Sequence, residues 1–217
     1  MISDRQIDLT RLAVIQECME TYGMEKNAPN SEWPHNVIST LAVTYSCGAI
    51  GRRGDVLEHD RDPSELKLCI DLAEEAANIM HGVFIGMGDE GDHEFSPFYI
   101  TANRGIIAPE NISEEYIRKA FGGTIYPPAP ITIEPLEEKG EWWSYISEGD
   151  SETQESWQKL IAWFKNNLKL HSPSFVAIGE DPLDEDSQNS GCVFPRLAVG
   201  LTRAGSLVGV FSCVVHT

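Results

Sequence analysis

Apolar positions along the chain follow two periods, and the change from one to the other marks the elements. Leu12, Ile15, Met19 and Tyr22 recur at helical spacing behind a Ser3/Gln6 capping box, predicting a helix from about Ser3 to Glu25. A turn-rich stretch follows at Asn27 to Pro34. His35 to Ile50 is apolar and reads equally as strand or helix. Gly51 to Pro63 is charged, with breakers at both ends, the pattern of a linker or exposed loop. A second helix is expected from Ser64, with Leu66, Ile70, Ala73, Ala77 and Met80 as one buried stripe.

Beyond it, Val83–Met87 and Phe95–Thr101 read as strands around an acidic loop, Gly88–Glu94. A short helix is expected from Ser113 to the Gly122–Gly123 pair. The stretch YPPAPITIEP is interrupted by proline, which confines it to a sheet edge or an extended crossing. The strongest helical pattern starts at Ser151 and runs to about Leu170. Ser151 and Gln154 make a capping box, and Trp157, Leu160, Ile161, Phe164 and Leu168 form the buried face. Ser174–Ile178 reads as a strand. The chain closes in a hairpin, Val193–Leu201 and Leu207–Val215, turning near Gly205. Helices mixed with neighbouring strands give an α/β or α+β class.

Composition narrows the function. Of 217 residues, 41% are hydrophobic, enough for a packed core. The formal charge is −18, from 34 acidic against 16 basic residues, which argues against nucleic acid or an anionic membrane as a direct partner. A basic protein, a cationic ligand or plain solubility fits better. The start carries acidic residues where a secretory leader needs basic ones, and no apolar run reaches membrane-spanning length. The five cysteines are odd in number and irregularly spaced, with no CxxC pair. A reducing, cytoplasmic setting is expected.

Candidate chemistry is sparse. No GxSxG occurs, and Cys213 and His216, three apart on one strand, fall on opposite faces. The glycines of FIGMGDEGDHE resemble a phosphate loop, but Asp89, Glu90, Asp92 and Glu94 would repel phosphate. Neither this loop nor GEDPLDEDSQN has EF-hand spacing, so both read first as solvated acidic loops. A third acidic region, Glu134 to Glu155, encloses Trp142–Trp143. On an extended strand these neighbours face opposite sides, so either one is core and the other half covered, or one is an aromatic anchor in an acidic rim. The final strand is expected to run into the C-terminus without a polar tail, which would give the terminal carboxylate a fixed place.

Taken together, several blocks resemble the cyanobacterial nuclease A inhibitor family. They are LAEEAANIMHGVFIGMGDEGDHEFSPFYI, GEWWSYI, WQKLIAWFKNNLK with SFVAIGE, and LAVGLTRAGSLVGVFSCVVHT, in the family's order and over about Ser64–Thr217. The resemblance implies a three-layer α/β/α sandwich of the nuclease-inhibitor type with a C-terminal β-hairpin, at residues 64–217. Residues 1–63 are then a mainly helical N-terminal extension. It implies a non-enzymatic inhibitor that plugs the active site of a magnesium-dependent, sugar-non-specific nuclease, with no cofactor and no metal of its own. The family's terminal threonine carries over to Thr217, its acidic-loop glutamate to Glu90, and its aspartate and tryptophan to Glu141 and Trp142. Thr217 and Glu90 would approach the nuclease's metal, and Asp89, Asp92, Trp143 and His216 are neighbouring contact candidates. His216 stands where the family has glutamate, and both acidic loops are longer. Two rivals stay open: a non-inhibitory module binding a basic protein, and a metal- or small-molecule-binding enzyme using the acidic loops.

Overall fold

The apolar run at the end of the chain builds the centre of the molecule. The computed structural model describes residues 2–4, 7–8, 37–59, 62–85, 91–105, 107–179 and 193–215. The strands, in chain order, are β1 (Ile2–Asp4), β2 (Ile7–Asp8), β3 (Ala42–Tyr45), β4 (Ile50–Arg52), β5 (Leu57–His59), β6 (Gly91–Asp92), β7 (Ser96–Ile100), β8 (Ile131–Pro135), β9 (Leu170–Ile178), β10 (Val193–Thr202) and β11 (Leu207–Val215). The helices are α1 (Pro63–Ile79), α2 (Glu114–Ala120), α3 (Glu141–Ser147) and α4 (Ser151–Asn166). The fold is mixed α/β.

β10 and β11 form the expected hairpin, registered from Val193↔Val215 to Leu201↔Leu207. β9 and then the edge strand β8 extend it on one side, and β6 and β7 both pair with β11 on the other. All these pairs are antiparallel. The proline-bounded β8 sits at the edge, where a missing amide donor breaks no ladder.

Every residue of β10 is buried, so this sheet is covered on both faces rather than wet on one. Side-chain alternation separates two cores. Ala198, Val208, Val210 and Phe175 face α1, α3 and α4. Leu197, Val199, Phe211 and Phe98 face α2 and the residues of 37–50. There Phe98 stacks between Phe121 and Phe211, with ring centroids 5.9 and 5.5 Å away. Val37, Ile38, Ala42 and Ile50 belong to that same core. The described part of residues 1–63 therefore shares its hydrophobic centre with the rest of the chain.

Several elements differ from expectation. The N-terminal helix was expected from Ser3, but residues 2–4 and 7–8 are strands, paired with β5 and β3. A capping box is a local preference, and pairing with segments some fifty and forty residues away overrides it. Residues 5–6 and 9–25 of that expected helix, and the turn-rich stretch expected after it, lie outside the described residues. The charged stretch expected as a linker carries the end of β4 and all of β5. Tyr45, fully buried, donates its hydroxyl to the Arg52 carbonyl at 2.6 Å and so ties this stretch down. Val83–Ile85 forms only a bridge, Phe84↔Glu94, where a full strand was expected.

Two helical faces also shift. α1 begins where expected, capped by Asp62, whose carboxylate accepts from the Ser64 and Glu65 amides. It buries Cys69, Leu72, Ala73, Ala76 and Met80, while Leu66, Ile70 and Ala77 are only half-buried. Both stripes are apolar at helical spacing. The buried one presents alanines and a cysteine, which let the helix settle close to the sheet. α4 is capped by Asp150 rather than Ser151, and Gln154 turns back to the Ser147 and Gly149 carbonyls. It ends at Asn166, so Leu168 is 88% exposed instead of core. Among the described residues, no helix is long and apolar enough to cross a membrane.

Candidate functional site at one end of the sheet

The strand registers gather three chain segments at one end of the main sheet. Val193 pairs with Val215, and Val215 pairs with Gly91. Gly179, which follows β9, lies against Phe194 of β10. These are the residues from which 86–90, 180–192 and 216–217 lead away. Together 86–94 and 180–192 carry nine carboxylates and no lysine or arginine. Asp89, Glu90, His216 and Thr217 lie outside the described residues. Asp92 pairs with Val214 as part of β6.

Groups just inside this end hold its backbone. Ser212 donates its hydroxyl to the His93 carbonyl at 2.5 Å, tying the return of the acidic loop to β11. Glu94 accepts from the Gly82 amide at 2.5 Å and lies 2.9 Å from His81 Nδ1. The Gly82 amide above all holds the Glu94 carboxyl below its ordinary range, with help from His81 and against an opposing desolvation. Arg196 is buried, and its guanidinium donates to the Ile178 and Pro195 carbonyls. An arginine inside an otherwise apolar run was the sequence signal for this anchor.

The Glu141–Trp143 segment sits elsewhere. It is the first turn of α3 rather than an extended strand, so successive side chains diverge by about 100°. The Glu134 carboxylate accepts from the Glu141 and Trp142 amides, at 3.0 and 3.3 Å, and caps the turn. Sequence reasoning missed Glu134, because a cap seven residues upstream has no fixed spacing. Trp142 is 3% exposed and donates its indole N–H to the Pro135 carbonyl. Trp143 is half-buried and Glu141 exposed. The surface expectation for Trp142 therefore gives way to a core position.

Glu134 pairs with Phe175, Phe175 with Ala198, and Ala198 with Val210. With strands about 4.8 Å apart and about 3.3 Å of rise per residue, the start of α3 lies on the order of 20 Å from the end of β11. The structure does not bring Glu141 and Trp142 to the end where Val215 stands.

Among the described residues, no group of three or more histidines, cysteines or carboxylates has the arrangement of a metal site. No protein-family model matches the chain, and no curated protein matches it.

Proposed function

We propose that this protein is an inhibitor that inserts its C-terminal threonine, flanked by acidic loops, into the active site of a magnesium-dependent non-specific nuclease. The observation that carries the reading is the shared row of Val193, Val215 and Gly91, from which both acidic loops and the tail depart. Such a nuclease presents a hard cation and a basic groove. Magnesium keeps its waters, and a threonine hydroxyl and terminal carboxylate suit that water shell. The nine carboxylates of 86–94 and 180–192 would take the places of substrate phosphates. In this reading the sheet with its two covers is the α/β/α sandwich of that inhibitor family, working in the cytoplasm. Thr217 and Glu90 make the central contacts, with Asp89, Asp92 and His216 around them. Trp142 supports α3 from within, and Glu141 and Trp143 are peripheral.

The test is titration into an assay of such a nuclease. Stoichiometric loss of activity is expected, and deleting Thr217 should restore activity without changing the melting temperature. A full-length chain that leaves the nuclease fully active in large excess would sink the proposal. A truncated chain that inhibits at full strength would sink tail insertion.

A second reading, a non-inhibitory module for a basic protein, has its own support. Tyr145 is 49% exposed on α3, in a region that also carries Glu137, Glu138, Glu141 and Glu148. An exposed aromatic among carboxylates suits a basic partner. A complex lost on Tyr145→Ala but unaffected by loss of Thr217 would favour it.

A further inference from the structure

A cavity of about 220 Å³ opens at the end of the sheet away from the C-terminus. Ile50 of β4, Leu57 of β5, Ile100 of β7 and Ala120 of α2 form its apolar walls. Ile100 pairs with Leu207, eight residues along β11 from Val215, a distance of about 26 Å at strand rise. The cavity is thus separate from the proposed inhibitory end.

Its polar groups are few, and most are committed. The Tyr116 hydroxyl donates to the Gly205 carbonyl, and the Thr101 hydroxyl to the Cys47 carbonyl at 2.7 Å. Burial raises the Tyr116 pKa, so that hydroxyl stays neutral. Lys119 is different. It lines the cavity, and among the described residues its ammonium makes no hydrogen bond or ion pair. Glu115 stands one helical turn before it, the favourable order for a helical ion pair. One residue earlier, Glu114 and Arg118 make that pair at 2.8 Å. Lys119 and Glu115 do not. In a chain with 34 acidic residues, Lys119 stands exposed at the rim of an apolar cavity with no carboxylate bonded to it among the described residues.

We propose that this cavity binds a small apolar monocarboxylate, with its hydrocarbon body among Ile50, Leu57, Ile100 and Ala120 and its carboxylate on Lys119. Size supports a ring or a short branched chain: an apolar protein cavity of about 150 Å³ already accepts benzene. The charge count ranks a monoanion above a dianion. One ammonium faces the ligand while the whole molecule repels negative charge, so a phosphate dianion is disfavoured. A neutral occupant would gain nothing from Lys119.

The full chain is titrated with benzoate, phenylacetate and benzyl alcohol, followed by amide shifts in NMR spectra. Saturable shifts at Ile50, Ile100 and Lys119 are expected with the two carboxylates, and weaker binding with the alcohol. Lys119→Gln, an exposed change that leaves the walls intact, should weaken carboxylate binding about tenfold. Ala120→Leu, which fills the cavity, should abolish it, with melting followed to confirm folding. The proposal is overturned by no saturable shift at about 10 mM ligand, by benzyl alcohol binding as tightly as benzoate, or by Lys119→Gln binding unchanged. Inhibition of a nuclease, present or absent, does not bear on this outcome.

Discussion

Trp142 lies flat on Phe175, with ring centroids 4.8 Å apart and planes 11° from parallel. Trp157 meets both rings from the α4 side, at 5.2 and 6.0 Å. The indole of Trp142 thus joins α3 to the sheet through the core under α4. Truncating it leaves a cavity and frees the Pro135 carbonyl. Trp142→Ala should cost about 3–5 kcal/mol of stability, measured by denaturant unfolding. Tyr145→Ala, three residues on but half exposed, should fall within about 0.5 kcal/mol of the parent. Equal losses would remove Trp142 from the core.

The start of α4 rests on one side chain. Asp150 accepts from the Thr153 amide at 2.8 Å and from the Thr153 hydroxyl at 2.9 Å. Asp150→Ala should lower the melting temperature by about 2–4 °C, the shift of a lost cap in a chain of this size. Asp150→Asn should keep most of it, since the amide oxygen still accepts.

The same contact sets a pH dependence. The Thr153 amide, then its hydroxyl, hold the Asp150 carboxyl below its ordinary value. Asp62 is lowered chiefly by the Ser64 amide, and Glu94 by that of Gly82. A carboxyl whose folded-state pKa is depressed stabilises the fold fully above its unfolded value of about 4. That contribution disappears as pH falls through the lowered folded value. Melting temperature should therefore drop on acidification below about pH 4, and Asp150→Asn should drop less. An identical acid profile for parent and variant would contradict this linkage.

What could be read from the sequence had local causes. The final hairpin, the Ser113 cap and the start of α1 each depend on residues within one turn or one strand pair. The edge position of β8 followed from its prolines alone. What could not be read depended on partners far along the chain. The buried face of α1 was settled by which stripe, Cys69–Leu72–Ala76 or Leu66–Ile70–Ala77, met the sheet. Tyr45 and Ile50 gained strand identity from contacts that ambiguous apolarity does not encode. Trp142 and Trp143 read as strand neighbours because the capping carboxylate, Glu134, was invisible as a cap. At the candidate end, the meeting of Gly91, Val193 and Val215 follows from the hairpin once β6 pairs with β11. The distance of Glu141 from that end needed the registers of two further strand pairs, β8 with β9 and β9 with β10.

Gly179 closes β9 with φ +81°, where any other residue is strained. A Cβ there would lie 2.6 Å from the Phe194 ring and 2.8 Å from Val37 Cγ1. Neither neighbour can retreat freely, since both are buried in the same core. Gly179→Ala should cost about 1–3 kcal/mol, read by unfolding. It should also disturb the end from which residues 180–192 depart. If the proposed inhibition is real, affinity should fall more for this variant than for an alanine at Gly82, whose added Cβ meets nothing within 4 Å.

Charge at the candidate end predicts how association responds to salt. If the proposed inhibition holds, the −18 charge and the nine carboxylates of 86–94 and 180–192 should steer encounter with a basic active-site groove from a distance. The Debye length shrinks from about 30 Å at 0.01 M to about 3 Å at 1 M salt, so steering should vanish over that range. Insertion of a hydroxyl and carboxylate at a metal is short-ranged and desolvated, and screening touches it little. The association rate with a nuclease should therefore fall about tenfold or more as salt rises, while dissociation changes much less. Replacing Asp184, Glu185 and Asp186 by asparagine or glutamine should flatten the salt slope of association and leave dissociation near the parent's. Loss of Thr217 should do the reverse, speeding dissociation with the salt slope preserved. Stopped-flow fluorescence of the complex separates the two rates. If both variants acted on the same rate, steering and insertion would not be separate functions of this end.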